Sequence, residues 1–313
     1  MPFSIENKLV VAIASSALFD LQESHRIFQA KGAEEYRKYQ RDHEDDILQP
    51  GVAFHFVRRL LGFNPPEPEK QQVEVILLSR NDSDTGQRVM NSIEKHGLAI
   101  TRGAFLRGDP PYEYLGAFNV RLFLSGNRED VKEAVDMGHP AGQVVGSAHA
   151  DDPKDLELRI AFDFDGVLAD DEAERVFQAK GLKEFHASEQ EKAANPLGAG
   201  PLKSFLEEVS RLQQIERERS ERDPGYRPRL KTAIVTSRNA PAHKRLITTL
   251  RSWGIVVDKT FFLGGMDKNR IIEVFRPHLF FEDQMDYAEP AATRAPSVHV
   301  PFGEINRRAA KEE

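Results

Sequence analysis

The sequence repeats itself. IFQAKGAEEY from Ile27 recurs as VFQAKGLKEF from Val176, placing Phe28 and Phe177 149 positions apart. An SRN tripeptide at Ser79 returns 158 positions later at Ser237, AFLRG from Ala104 is answered by FFLGG from Phe261, and RLFLS from Arg121 by LFFED from Leu279. Matching segments that keep their order at a nearly fixed spacing imply two copies of one folding unit. Each half alternates apolar runs with helix-like stretches. That pattern predicts an α/β fold, with mainly parallel sheets flanked by helices in each half. The expected division is 1–150 and 151–313, linked by the polar SAHADDPKD from Ser147, where apolar periodicity lapses.

The halves differ in their acids. In RIAFDFDGVLADD, Asp163 and Asp165 end an apolar run, whereas the repeat spacing sets Ala14 and Ser16 against them. Side chains alternate along an extended chain, so these two carboxylates face the same space. Their repulsion is relieved by a hard cation such as Mg²⁺, so the pair reads as half of a metal site. Gly166 allows a sharp turn directly after them. The apolar LKTAIV leads into Thr236 and Ser237, hydroxyls suited to a phosphate oxygen, and Lys268 stands where a helix is expected to open. Asp283 ends the apolar run LFFED and is placed to complete a cation's oxygen shell. The first half has Pro111 near the position of Lys268, so it reads as a degenerate copy that kept the scaffold and lost the metal.

Strands are expected near Ile160–Phe164, Lys231–Thr236, Phe261–Leu263 and Leu279–Phe281, with every chemical motif at a strand's carboxyl end or a helix start. Leu246, Leu250 and Trp253 form the core stripe of a helix from about Ala242 that stops at Gly254. The helix-rich stretch of about 170–230 is expected to be a cap over the site. Phe28 and Phe177, at helical positions, are expected in the core. Should the strand ends of the two halves converge, Ser79, Arg80 and Asn81, with Arg238 and Asn239, would shape a base or ribose pocket.

A net charge of −7 with a pI near 5.9 argues against binding nucleic acid polymers. The absence of Cys excludes disulfides and thiolate chemistry and fits a reducing cytoplasm. LVVAIASSALF from Leu9 is too short to span a bilayer and follows Glu6 and Lys8, so it reads as a buried strand rather than a leader or membrane segment. The ten His residues show no paired metal-ligand spacing.

The order Asp-x-Asp-Gly, strand-end Thr, Lys, paired acids resembles the haloacid dehalogenase-like phosphatase superfamily. More narrowly, SSALFDLQESHRIFQAKGAEEYRKYQ from Ser15, VEVILLSRNDSDTGQRVMNSIEKHGLAITRGAF from Val73, AFNVRLFLSGNREDV from Ala117 and AFDFDGVLADDEAERVF from Ala161 resemble the cytosolic 5′-nucleotidase I family. The resemblance implies a HAD-like catalytic half and Mg²⁺-dependent hydrolysis of nucleoside 5′-monophosphates of the AMP or IMP type. It makes Asp163 the nucleophile, forming an aspartyl-phosphate, and Asp165 the general acid and then base. Mg²⁺ would be held by the Asp163 carboxylate, the Asp165 carbonyl and Asp283, and phosphoryl oxygens by Thr236 and Lys268. Glu282 stands where many superfamily members carry a first Asp, which leaves open how it and Asp283 divide the metal shell. Two alternatives remain at this stage: a phosphatase of another ester such as a sugar phosphate, and a catalytically silent nucleotide-binding protein.

Overall fold

The apolar runs pair into one continuous ten-stranded sheet in the computed structural model, which describes residues 4–312 and side chains as far as residue 307. The first half supplies β1 (Leu9–Ile13), β2 (Val73–Ser79), β3 (Arg102–Phe105), β4 (Leu122–Ser125) and β5 (Ala141–Val145). The second supplies β6 (Leu158–Phe162), β7 (Leu230–Thr236), β8 (Lys259–Phe262), β9 (Leu279–Glu282) and β10 (Ser297–His299). The spatial order is β3-β2-β1-β4-β5-β10-β9-β6-β7-β8. Read outward from its first strand, each half therefore has the same order, with its own strands all parallel. Only β5 and β10, which join the halves, run antiparallel. The result is the mostly parallel α/β sheet that the alternating pattern predicts.

The helices are α1 (Ser15–Leu18), α2 (Gln22–Asp42), α3 (Phe54–Leu61), α4 (Gln87–Lys95), α5 (Arg128–Asp136), α6 (Glu172–Glu191), α7 (Lys203–Arg222), α8 (His243–Ser252), α9 (Asn269–Phe275), α10 (Met285–Ala292) and α11 (Gly303–Glu312). They cover both sheet faces, which is why strands such as LVVAI in β1 are apolar throughout and wholly buried. Leu9, Val11 and Ile13 join a core that runs through both halves to Leu158, Ile160 and Phe162. The opposite face holds two separate cores, one under each half.

Register refines the repeat. Leu9 pairs with Val73 and Leu158 with Leu230, while Val11 pairs with Leu122 and Ile160 with Leu279. Spacing in β2/β7 and β4/β9 is therefore 157, one less than the SRN and LFFED matches suggest. Thr236 corresponds to Ser79, Glu282 to Ser125 and Asp283 to Gly126. Hydrogen bonds agree: Arg238 N–H donates to Thr236 Oγ1 (3.1 Å), as Asn81 N–H does to Ser79 Oγ (3.2 Å). The turn after β6 is also one residue longer than its counterpart. Ala14 N–H and Asp163 N–H donate to equivalent carbonyls of Leu124 and Phe281, yet the carbonyls that accept from Gly51 N–H and Gly200 N–H belong to Leu18 and Leu168, 150 positions apart rather than 149. Asp165 lies in this lengthened turn, so Ser16 is not its strict equivalent.

Three expectations change. The antiparallel junction sends the strand ends of the halves to opposite edges of the sheet, and Ser79 lies six strand spacings, roughly 29 Å, from β6. The strand ends diverge, so Ser79, Arg80 and Asn81 do not share a pocket with Asp163. The 170–230 segment is not all cap: α7 buries Phe205, Leu206, Val209 and Leu212 in the shared core as the crossover between β6 and β7. Phe28 and Phe177 are exposed, 47% and 39%, because α2 and α6 break at Gly32 and Gly181 and leave the preceding turns off the core.

Candidate active site

In each half the strand order reverses between its first and fourth strands, where open α/β sheets place ligand crevices. In the second half that point lies between β6 and β9, and it is there that the acids gather. Asp163 follows β6, Glu282 ends β9 and Asp283 comes next; all three are buried, with donor oxygens within 4.8 Å of one another. Lys268, also buried, enters from the start of α9. Its Nζ lies 2.7 Å from Glu282 Oε2 and 3.0 Å from Asp163 Oδ2. Gly166 makes the approach possible: its φ is +73°, and a Cβ there would stand 2.4 Å from Asp283 Oδ2.

One ammonium does not balance three carboxylates. Burial, opposed by Lys268 and reinforced by Glu282 and Asp165, pushes Asp163 up to about 7. Asp283 is pushed well up by burial and then by Glu282 and Asp163, while Asp163 and Glu282 hold Lys268 protonated against its own desolvation. Asp163 Oδ1 and Asp283 Oδ1 are both buried without a hydrogen-bond donor. Two orphaned carboxylate oxygens are a strong demand for a cation, and an all-oxygen donor set suits a hard one. The residues fit a divalent ion, with Glu282 committed to Lys268 and Asp163 and Asp283 left to bind.

Thr236 ends β7 beside this cluster and is buried, whereas Ser237 is exposed. The Asp165 side chain is not among the clustered acids. Arg238 grips it through two bonds of 2.7 Å, Nε to Oδ2 and Nη2 to Oδ1. Arg238 also donates to Glu189 of α6, Glu189 accepts from Arg245 of α8 at 2.8 Å, and Arg245 pairs with Glu172 at 2.9 Å. Arg238 is thus buried and occupied, not a free nucleotide contact; Asn239 Oδ1 accepts from His186 Nε2 at 2.9 Å. No local spacing announces Glu189 and Arg245, whose pairing spans 56 residues. Glu174 in the first turns of α6 is a further, half-buried carboxyl, pushed up by desolvation and by Asp165. Tyr287 places its ring 5.3 Å from Lys268 Nζ. In the first half, Arg80 pairs with Asp130, and Ser79, Arg80 and Asn81 line a different cavity.

A buried acid cluster with one lysine, at the switch point of a Rossmann-like half, defines the type of site; sequence comparison supplies the lineage. The chain belongs to the 5′-nucleotidase family, whose pattern it matches over residues 1–307. It is 35% identical over 292 residues to human cytosolic 5′-nucleotidase 1B, covering 91% of this chain and 47% of that protein. The chain thus spans about half the length of that curated relative. No solved structure matches it.

Proposed function

We propose that this chain hydrolyses nucleoside 5′-monophosphates, of the AMP or IMP type, through a phosphorylated Asp163 and with Mg²⁺ bound. The observation that carries the proposal is the pair of unsatisfied buried oxygens on Asp163 and Asp283, beside Thr236 and Lys268 at the switch point. Mg²⁺ would be held by Asp163 and Asp283 with the Asp165 carbonyl, and would supply positive charge to offset these acids and the phosphate oxygens. Asp163 attacks phosphorus in line with the ester oxygen, and that P–O bond breaks. Asp165, once released by Arg238, takes a proton from solvent and passes it to the departing 5′-oxygen. It then takes a proton from water as the water's oxygen attacks phosphorus, freeing Asp163 and phosphate. Thr236 and Lys268 hold the non-bridging oxygens throughout, with Glu282 fixing the ammonium. Ser237, the next residue after Thr236, is exposed.

The base lies under the kinked part of α6, which narrows the proposed cap to that helix; the first half acts as scaffold. The relative's cytosolic designation and the lack of any helix long and apolar enough to cross a membrane, among the described residues, support a cytoplasmic location. A panel of phosphomonoesters tested with and without Mg²⁺ decides the matter. Nucleotide-preferring, Mg²⁺-dependent release abolished by Asp163→Asn is the expected result. Preference for sugar phosphates would reassign the substrate, and full activity in Asp163→Asn would overturn the mechanism.

A further inference from the structure

The first half has a crevice of its own at its switch point between β1 and β4, a cavity of about 1250 Å³. We propose that this cavity is a second ligand site, which takes a phosphate monoester of mononucleotide size without a divalent cation and leaves it uncleaved. The volume exceeds what a small-molecule site requires.

Comparison with the acid site supports the ligand's charge. Ser79 stands in the position of Thr236, and its Oγ lies 3.1 Å from Ser15 Oγ, so two hydroxyls meet at the strand ends. Ala14, Ser125 and Gly126 replace Asp163, Glu282 and Asp283, and Pro111 replaces Lys268. Three carboxylates and one ammonium have gone, so an anion no longer needs a cation to offset the protein's own negative charge. A positive charge has also been added. Leu106 N–H donates to Ser79 O as Leu263 N–H does to Thr236 O, which sets Arg107 against Gly264. Both are left-handed, φ +52° and +58°, a conformation that glycine adopts freely and Arg107 only under strain. Arg107 is exposed and lines the cavity. Of the four acids on the wall, Asp82 is paired with Arg37 at 2.9 Å and Asp130 with Arg80, while Asp20 and Glu129 are exposed to solvent.

A neighbouring part of the wall suits an apolar group, and Tyr36 Oη ties it to Asn81 Oδ1 at 3.1 Å. Phe28 and Tyr36, on either side of the Gly32 break, meet edge to face at 5.7 Å between centroids and line the cavity. Their counterparts Phe177 and Phe185 meet in the same way at 6.1 Å. A phosphate at the hydroxyls and Arg107, with a base against these rings, spans the space.

Titration of the intact chain with AMP in excess EDTA tests this independently of hydrolysis. One AMP is expected to bind per chain, with adenosine weaker by about tenfold or more. Ser16→Asp, at an exposed position on the wall, restores negative charge, and Arg107→Glu reverses the added one. Each should weaken AMP by about tenfold or more with an unchanged melting temperature and unchanged Mg²⁺-dependent turnover. Absence of AMP binding in EDTA, or binding that folded forms of both variants retain at full strength, would overturn the proposal. If the chain cleaves no monoester yet binds AMP in this Ser16- and Arg107-sensitive way, the hydrolytic reading fails and this one stands.

Discussion

Asp163 carries the clearest consequence at the scale of single residues. Its carboxyl rises from 3.8 to about 7, so between these values the folded chain binds protons that the unfolded chain does not. Stability therefore falls as pH rises through that window, and the full cost is present above 7. A cation that binds the ionised, folded form removes that cost. Mg²⁺ should accordingly raise the melting temperature more at pH 8 than at pH 6, and equal increments at both would show that Asp163 is not a ligand. Asp165→Asn removes the proton carrier while its amide oxygen keeps one of the two bonds from Arg238; the other is lost, because the amide nitrogen is itself a donor. Turnover of nucleotides should fall by about 10²–10⁴. Formation of the phosphorylated Asp163 from p-nitrophenyl phosphate, whose leaving group needs no proton, should be nearly unaffected, as a burst of nitrophenolate would show. Acids ending apolar runs, Asp163 and Asp283, are local signals, whereas the i, i+2 spacing that set Asp165 beside Asp163 did not foresee that its side chain turns to Arg238. The Arg238–Glu189–Arg245 chain had no local signal, since its partners come from the loop after β7, from α6 and from α8 and meet only in the fold.

Elements show where local reading succeeded and where it stopped. Strand cores and the α8 stripe follow from apolar periodicity, and β7 ends at Thr236 as expected. The QAKG repeat pointed to continuous helices with buried Phe, but Gly32 and Gly181 adopt φ +81° with ψ near 180°, a conformation essentially closed to other residues. Nothing lies within 4 Å of a Cβ at either position, so the requirement is purely one of backbone geometry. The break swings Phe177 out of the core and brings Phe185 to 5.7 Å from the Arg238 guanidinium. Gly181→Ala should cost about 1–3 kcal/mol locally, straighten or unfold the start of α6, and raise KM for nucleotides severalfold. The core packing of α7 should keep the rest folded. An unchanged KM would remove α6 from the substrate's surroundings.

For the whole molecule, duplication was readable but assembly was not. The repeat says that two like units exist; it does not say that β10, a three-residue SVH with no strand signature, pairs antiparallel with β5 and turns the second unit end over end. That seam is tight. A Cβ on Gly142 of β5 would lie 2.2 Å from Val298 Cγ1, and Val298 is fully buried. Because one core runs unbroken from Leu9 and Val11 into Ile160 and Phe162, the halves should unfold together despite their separate cores on the other face. Arg59 of α3 reinforces the union through Asp151 and the carbonyls of Asp152 and Glu157 in the linker. Calorimetry should therefore show a single transition that Mg²⁺ shifts as a whole, although the proposed ion site lies in the second half. Gly142→Val, by overpacking the seam at a cost of about 1–3 kcal/mol, should lower that one transition without splitting it. Two transitions, with only one responding to Mg²⁺, would mean that the halves are energetically separate and that the shared core does not couple the acid site to the cavity at the opposite edge.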